Sequence, residues 1–136
     1  METMTISQVA ERAGIGLETV RFYEKQGLVP EPPRTRSGYR QFPDDTVARL
    51  RFIQRAKVLG FSLREIQELI ELRLDPSARS SDVKARAQAK IREIDGKIRD
   101  LQRMRTKLAE LERACDGHGS TEDCPIIHAL DHEHHT

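Results

Sequence analysis

The feature that most constrains this chain is an apolar series in its second half: Val83, Ala87, Ile91, Ile94, Ile98, Leu101, Met104, Leu108 and Leu111. The steps are 4, 4, 3, 4, 3, 3, 4 and 3 residues. Their mean of about 3.5 is the repeat of a coiled-coil seam. Ser80 or Ser81 is the expected cap, and no Pro follows before Ala114. A helix of about 34 residues reaches about 50 Å, more than a head of about 70 residues can cover. The seam therefore calls for a second copy of itself, and homodimerisation is the economical reading. The chain is 37% hydrophobic and 33% charged. That balance suits helices with charged outer faces and a core that a partner subunit helps to complete.

The first half reads as a small helical head. Ile6, Val9, Ala10 and Ala13 share one helical face. Gly14-Ile15-Gly16 breaks that helix, and a second runs from Leu17 to Lys25 with Val20 and Phe22/Tyr23 available for packing. Gly27 is placed to cap it. Helix, Gly-containing turn, helix is the helix-turn-helix pattern. Pro30, Pro32 and Pro33 then forbid helix. From Arg34 to Phe42, two short extended arms around Ser37-Gly38 predict a hairpin wing that projects Arg34, Arg36, Tyr39 and Arg40. Such a wing reaches phosphates or a minor groove. Pro43-Asp44-Asp45 opens a third helix with apolar face Val47, Leu50, Ile53, Val58 and Leu59, closed by Gly60. Ser62 and Glu65 form a capping box for a fourth, with Leu63, Ile66, Leu69, Ile70 and Leu72 toward the core.

Charge is distributed unevenly. The net charge is +1, yet between Arg34 and Arg64 eight cations face two anions, a local excess of +6. A concentrated basic stretch suits a phosphate backbone. No apolar run is long enough to span a membrane, and Met1 to Ala10 lack the apolar segment of a secretion signal. A cytoplasmic chain is expected, in which the two cysteines, Cys115 and Cys124, are reduced ligands rather than a structural disulfide. A thiol redox switch or a metal buffer remains open from these residues alone. No phosphate loop, nucleophile with a matched base or carboxylate pair points to an enzyme. Three parts are expected: a winged helix-turn-helix DNA-binding domain over 4–73, a dimerisation helix over 80–114, and a metal-binding loop, short helix and tail over 115–136, with Pro125 at the first turn of that last helix.

Val20-Arg21-Phe22-Tyr23-Glu24, Gly27-Leu28, Gly38-Tyr39-Arg40 and Leu59-Gly60-Phe61-Ser62-Leu63 resemble the mercury-resistance regulator (MerR) family in order and spacing. Within it, Ser80 to Lys84 and Ala114-Cys115 through Cys124-Pro125-Ile126-Ile127 resemble the copper-efflux regulators, the CueR type. The resemblance implies a mainly α fold, an antiparallel coiled-coil dimer and a metal loop at each coil end. It implies DNA contacts from Arg21 and Tyr23 on the recognition helix and from Arg34, Tyr39 and Arg40 around the wing. It also implies a mode of action. The dimer sits on double-stranded promoter DNA whose two recognition elements are too far apart. The metal-bound form bends and undertwists that DNA until RNA polymerase engages both.

Two thiolates suit Cu(I), Ag(I) or Au(I), one ion per protomer, whereas zinc normally takes four ligands. Zinc-, lead- and mercury-type relatives carry a cysteine at the position of Ser80, reaching into the partner's site. Lys84 matches a family position near the site and would offset the charge of a bis-thiolate. The eight residues between the cysteines match the longer loop of the divalent-ion relatives and bring His118 as a possible extra ligand, so a Zn(II) or other divalent site is the alternative. His128, His132, His134 and His135 are expected to lie outside the site.

Overall fold

The computed structural model describes residues 3–32 and 41–132. Helix α1 (Ile6–Ala13) is opened by Thr5, whose hydroxyl accepts the Gln8 N–H at 3.2 Å. The Gln8 side chain accepts the Thr5 N–H in return, at 2.9 Å. This reciprocal cap satisfies two otherwise orphaned donors. Gly14 ends the helix at φ 73°, a left-handed conformation that costs glycine little. Its N–H and that of Ile15 close onto the Ala10 and Glu11 carbonyls. The chain thereby turns sharply into α2 (Leu17–Lys25).

Strand β1 (Thr3–Met4) pairs antiparallel with β2 (Phe42–Pro43), with Thr3 opposite Pro43 and Met4 opposite Phe42. The expected wing hairpin, residues 34–42, lies outside the described residues apart from Gln41 and Phe42. Pro43 belongs to this strand pair, and α3 begins at Thr46, not at Pro43. After α3 (Thr46–Val58), α4 (Leu63–Leu74) starts on the expected box: the Ser62 hydroxyl accepts the Glu65 N–H, and the Glu65 carboxylate accepts the Ser62 N–H at 2.8 Å.

These elements enclose one core. Val9, Val20, Tyr23, Leu28, Val29, Phe42, Leu50, Ile53, Ile66 and Ile70 are all buried in it. Full burial of an aliphatic or aromatic side chain of this size is worth about 1.5–3 kcal/mol. Two expectations of core facing fail for the same reason. Val58 and Leu59 are 86% and 65% exposed, because a helix repeats every 3.6 residues and the face of Leu50 and Ile53 continues to Ala56. Phe22 is likewise 46% exposed while its neighbour Tyr23 is buried three residues after Val20. Leu69 and Leu72 are only partly covered.

The linker is a turn in which Ser77 donates through both its N–H and its hydroxyl to the Asp75 carboxylate. Those bonds hold the Asp75 carboxyl below the ordinary carboxylate range. Helix α5 (Ser80–Ala114) then runs unbroken for 35 residues. Its first turn is fixed by Asp82, whose carboxylate accepts the Arg79 N–H at 2.9 Å, and not by the hydroxyl of Ser80 or Ser81 as expected. The chain divides into units 1–86 and 87–136, so the division falls inside α5. In the first unit Arg86 pairs with Glu68, which ties the start of α5 to α4.

In the second unit Lys90 is buried and bonded to Glu93 at 2.7 Å, and Lys97 approaches the same carboxylate at 3.3 Å. Lys90 first, then Lys97, hold the Glu93 carboxyl below its usual range. The seam residues Val83, Ile91, Ile94, Ile98, Leu101, Met104 and Leu108 are exposed in the single chain. A 3-10 turn (Thr121–Asp123) and α6 (Pro125–Asp131) follow, with Pro125 in the first turn of α6. Among the described residues no helix is long and apolar enough to cross a membrane.

Candidate metal site and nucleic-acid interface

The end of α5 and the start of α6 bring the two cysteines together. Cys115 follows the last residue of α5 and its N–H still donates to the Glu112 carbonyl at 3.2 Å. Gly117 and Gly119 then take left-handed conformations, at φ 79° and 90°. Between them the His118 N–H donates to the Asp116 carboxylate at 2.9 Å. The 3-10 turn follows, and Cys124 becomes the N-cap of α6, its own N–H donating to the Thr121 carbonyl.

The result is a Cys115 Sγ to Cys124 Sγ separation of 3.8 Å, with both thiols free and half-buried. The Cys124 thiol lies below its usual pKa. The N–H groups of Ile127 and then Ile126 favour its thiolate most, the Cys115 thiol adds to this, and partial desolvation opposes it. A helix N-terminus stabilises an anion in this way.

The donor set fits a thiophilic ion. With metal–sulfur bonds of about 2.3 Å, two sulfurs stand about 3.8 Å apart at a tetrahedral angle and about 4.6 Å apart in a line. The observed spacing meets the first, and an opening of less than about 1 Å meets the second. Among the described residues no third His, Cys, Asp or Glu joins the pair in a cluster. His118 is exposed in the loop, and Ser80 and Lys84 are exposed on the first turns of α5.

One residue was missed at the sequence level. The His128 Nε2 contacts the Glu122 carbonyl and so links α6 to the turn that precedes Cys124. Its position in a scattered run of histidines gave no sign of this, since the contact depends on the 3-10 turn.

In the head, Arg21 lies on the second helix of the helix-turn-helix with its side chain 52% exposed, paired at 3.1 Å with the exposed Glu18. Weak surface pairing leaves that guanidinium available to another anion. Tyr23, expected to contact DNA, is 2% exposed and packs in the core, with the Lys57 ammonium 5.8 Å from its ring centroid. Arg34, Arg36, Tyr39 and Arg40 lie outside the described residues. The basic stretch also serves internal needs. Arg51 donates to the Arg12 carbonyl at 2.8 Å and so covers the end of α1, while Lys57 lies over Tyr23.

A two-helix reader with an exposed arginine on its second helix, on a core of four helices, defines a helix-turn-helix regulator. Residues 4–72 match the MerR HTH family regulatory proteins, and residues 47–111 match the family described as MerR, DNA binding. The chain belongs to the MerR family of DNA-binding transcription regulators.

It is similar to the HTH-type transcriptional regulator CueR of Escherichia coli O6:H1, with 42% identity over 93% of each chain. The mercuric resistance operon regulatory protein of Serratia marcescens is 40% identical over 98% of this chain and 91% of its own. Among solved structures, the transcription regulator PbrR691 from Ralstonia metallidurans CH34 in complex with lead(II) superposes with a TM-score of 0.85 at 33% identity, over 93% of this chain and 98% of that one.

Proposed function

We propose that this regulator is a homodimeric, metal-responsive activator whose effector is Cu(I), with Ag(I) and Au(I) as congeners, held by Cys115 and Cys124. The observation that carries the reading is a thiol pair at 3.8 Å in a chain with two cysteines in all. Ser80 stands where the divalent-ion relatives would reach across with a third thiolate, so that position supplies no sulfur here. Soft thiolates with no further donor clustered beside them among the described residues suit a monovalent soft ion. Lys84 is proposed to offset the negative charge of the bis-thiolate.

DNA is bound through Arg21 and through the wing residues Arg34, Arg36, Tyr39 and Arg40. The exposed seam of α5 is covered by a second copy. With metal bound, the dimer distorts the promoter so that RNA polymerase engages it, and efflux or detoxification genes are switched on. Promoter DNA and reduced thiols fit a cytoplasmic protein.

The test is promoter output from a reporter across Cu, Ag, Au, Zn, Cd, Pb and Hg salts. Induction by copper, silver and gold, lost in Cys115→Ser and kept in His118→Ala, is the expected result. A metal response that survives Cys115→Ser overturns it.

A divalent effector is the second reading. Its support is the tetrahedral span of the pair, the eight-residue loop with His118, and the mercury- and lead-associated names of relatives. Induction by zinc but not silver, with loss on His118→Ala, would establish it instead.

A further inference from the structure

His128 and His132 stand four residues apart at the end of α6, the spacing that brings side chains onto one helical face. The His132 N–H donates to the His128 carbonyl at 3.2 Å, which makes His132 the C-cap of α6, one turn beyond His128. Their ring centroids are 6.3 Å apart with planes inclined by 35°. An ion about 2.1 Å from one nitrogen of each ring spans imidazoles whose centroids lie about 5 to 6.5 Å apart.

The His128 contact with Glu122 adds an independent observation. A carbonyl only accepts, so a hydrogen bond here uses Nε2 as the donor, and in the neutral ring Nδ1 is the nitrogen left to ligate. Metal-binding histidines are commonly oriented in this way, one ring nitrogen donating to a carbonyl while the other ligates. Neither ring takes part in the thiol pair.

We propose that His128 and His132 form a second metal site, distinct from the cysteines, for a first-row divalent cation. Neutral imidazoles suit Cu(II), Ni(II) and Zn(II), with Cu(II) held most tightly of the three. Water completes the coordination of the two-histidine site. The thiols and the imidazoles thus sort ions by softness, and the second site stands whichever ion the first one takes.

The experiment uses the full-length Cys115→Ser/Cys124→Ser protein, and separately the natural sequence with both thiols capped by iodoacetamide. Each is titrated with Ni(II) and Cu(II) by calorimetry, and Cu(II) is also followed by electron paramagnetic resonance. One ion per protomer is expected, with nitrogen couplings from two imidazoles. Affinity should fall at least tenfold in His132→Gln and in His128→Gln, and stay unchanged in His134→Ala/His135→Ala. Unchanged affinity in His132→Gln, or loss of the ion in His134→Ala/His135→Ala, would overturn the assignment.

Discussion

The head and the second unit meet the same requirement in opposite ways. In the described residues every buried hydrophobic side chain lies between Met4 and Ile70, closed over by the head's own elements. Beyond it, α5 carries an apolar seam as regular as any core, yet Ile98, Leu101 and Met104 are 48%, 60% and 58% exposed. The head closes its own core. On the proposed reading, the second unit offers a seam to another copy and a thiol pair to an ion. That division suits a sensor, because what must respond to a signal cannot already be satisfied without it.

The difference is open to attack by one kind of mutation made on each side. Leu50→Ala removes a fully buried side chain from the head. It should cost about 3 kcal/mol by denaturant unfolding, whatever the protein concentration. Leu101→Ala trims the seam and should cost about 2 kcal/mol per protomer, seen as a higher dimer dissociation constant in sedimentation and as concentration-dependent melting. If the Leu101→Ala loss were independent of concentration, the seam would be packed within the chain and the contrast would collapse.

Much of this contrast is legible in the residues. The 3.5-residue repeat gives the extent of α5, and Ser62 with Glu65 gives the start of α4, because periodicity and caps are local codes. Other features were less legible, most of them because they depend on non-local contacts. The pairing of Met4 with Phe42 joins residues 38 positions apart, which no local pattern announces. Tyr23, matched by resemblance to a family DNA contact, lies three residues after Val20 and is buried with it. Arg51 and Lys57 counted toward a phosphate-binding stretch, yet one covers the end of α1 and the other covers a ring. At the candidate site the nearness of the two cysteines was legible, while the contact of His128 with Glu122 depends on a turn that forms only once the loop has folded.

Within the head, smaller substitutions grade the comparison further. Ser62→Ala removes the hydroxyl that caps α4 and should cost about 1 kcal/mol. Arg51→Met keeps the aliphatic stem but removes the donor to the Arg12 carbonyl, and should cost about 0.5–1.5 kcal/mol. Both losses should appear equally in dilute and concentrated protein by thermal melting. A cost confined to one concentration would mean that these residues serve the dimer.

The smallest expected effect lies at Cys124 and tests whether the second unit is ordered before any ion arrives. The N–H groups of Ile127 and Ile126 lower the Cys124 pKa only if α6 is formed, since an unfolded chain does not hold them at the sulfur. Iodoacetamide attacks the thiolate, so the midpoint of Cys124 alkylation against pH should lie lower in the folded apoprotein than in urea. The sign for stability follows from linkage. A folded pKa below the unfolded one gives a contribution that is full above the unfolded value and fades as pH falls through the folded one. Cys115→Ala should leave most of the shift, because the thiol contributes less than the two N–H groups, whereas Pro125→Gly, which loosens the first turn of α6, should remove most of it. Peptide mapping by mass spectrometry reads the alkylated fraction at each pH. Equal midpoints in folded and urea-treated protein would mean that the site takes shape only around its ion, and that the second unit is less ordered alone than its helices suggest.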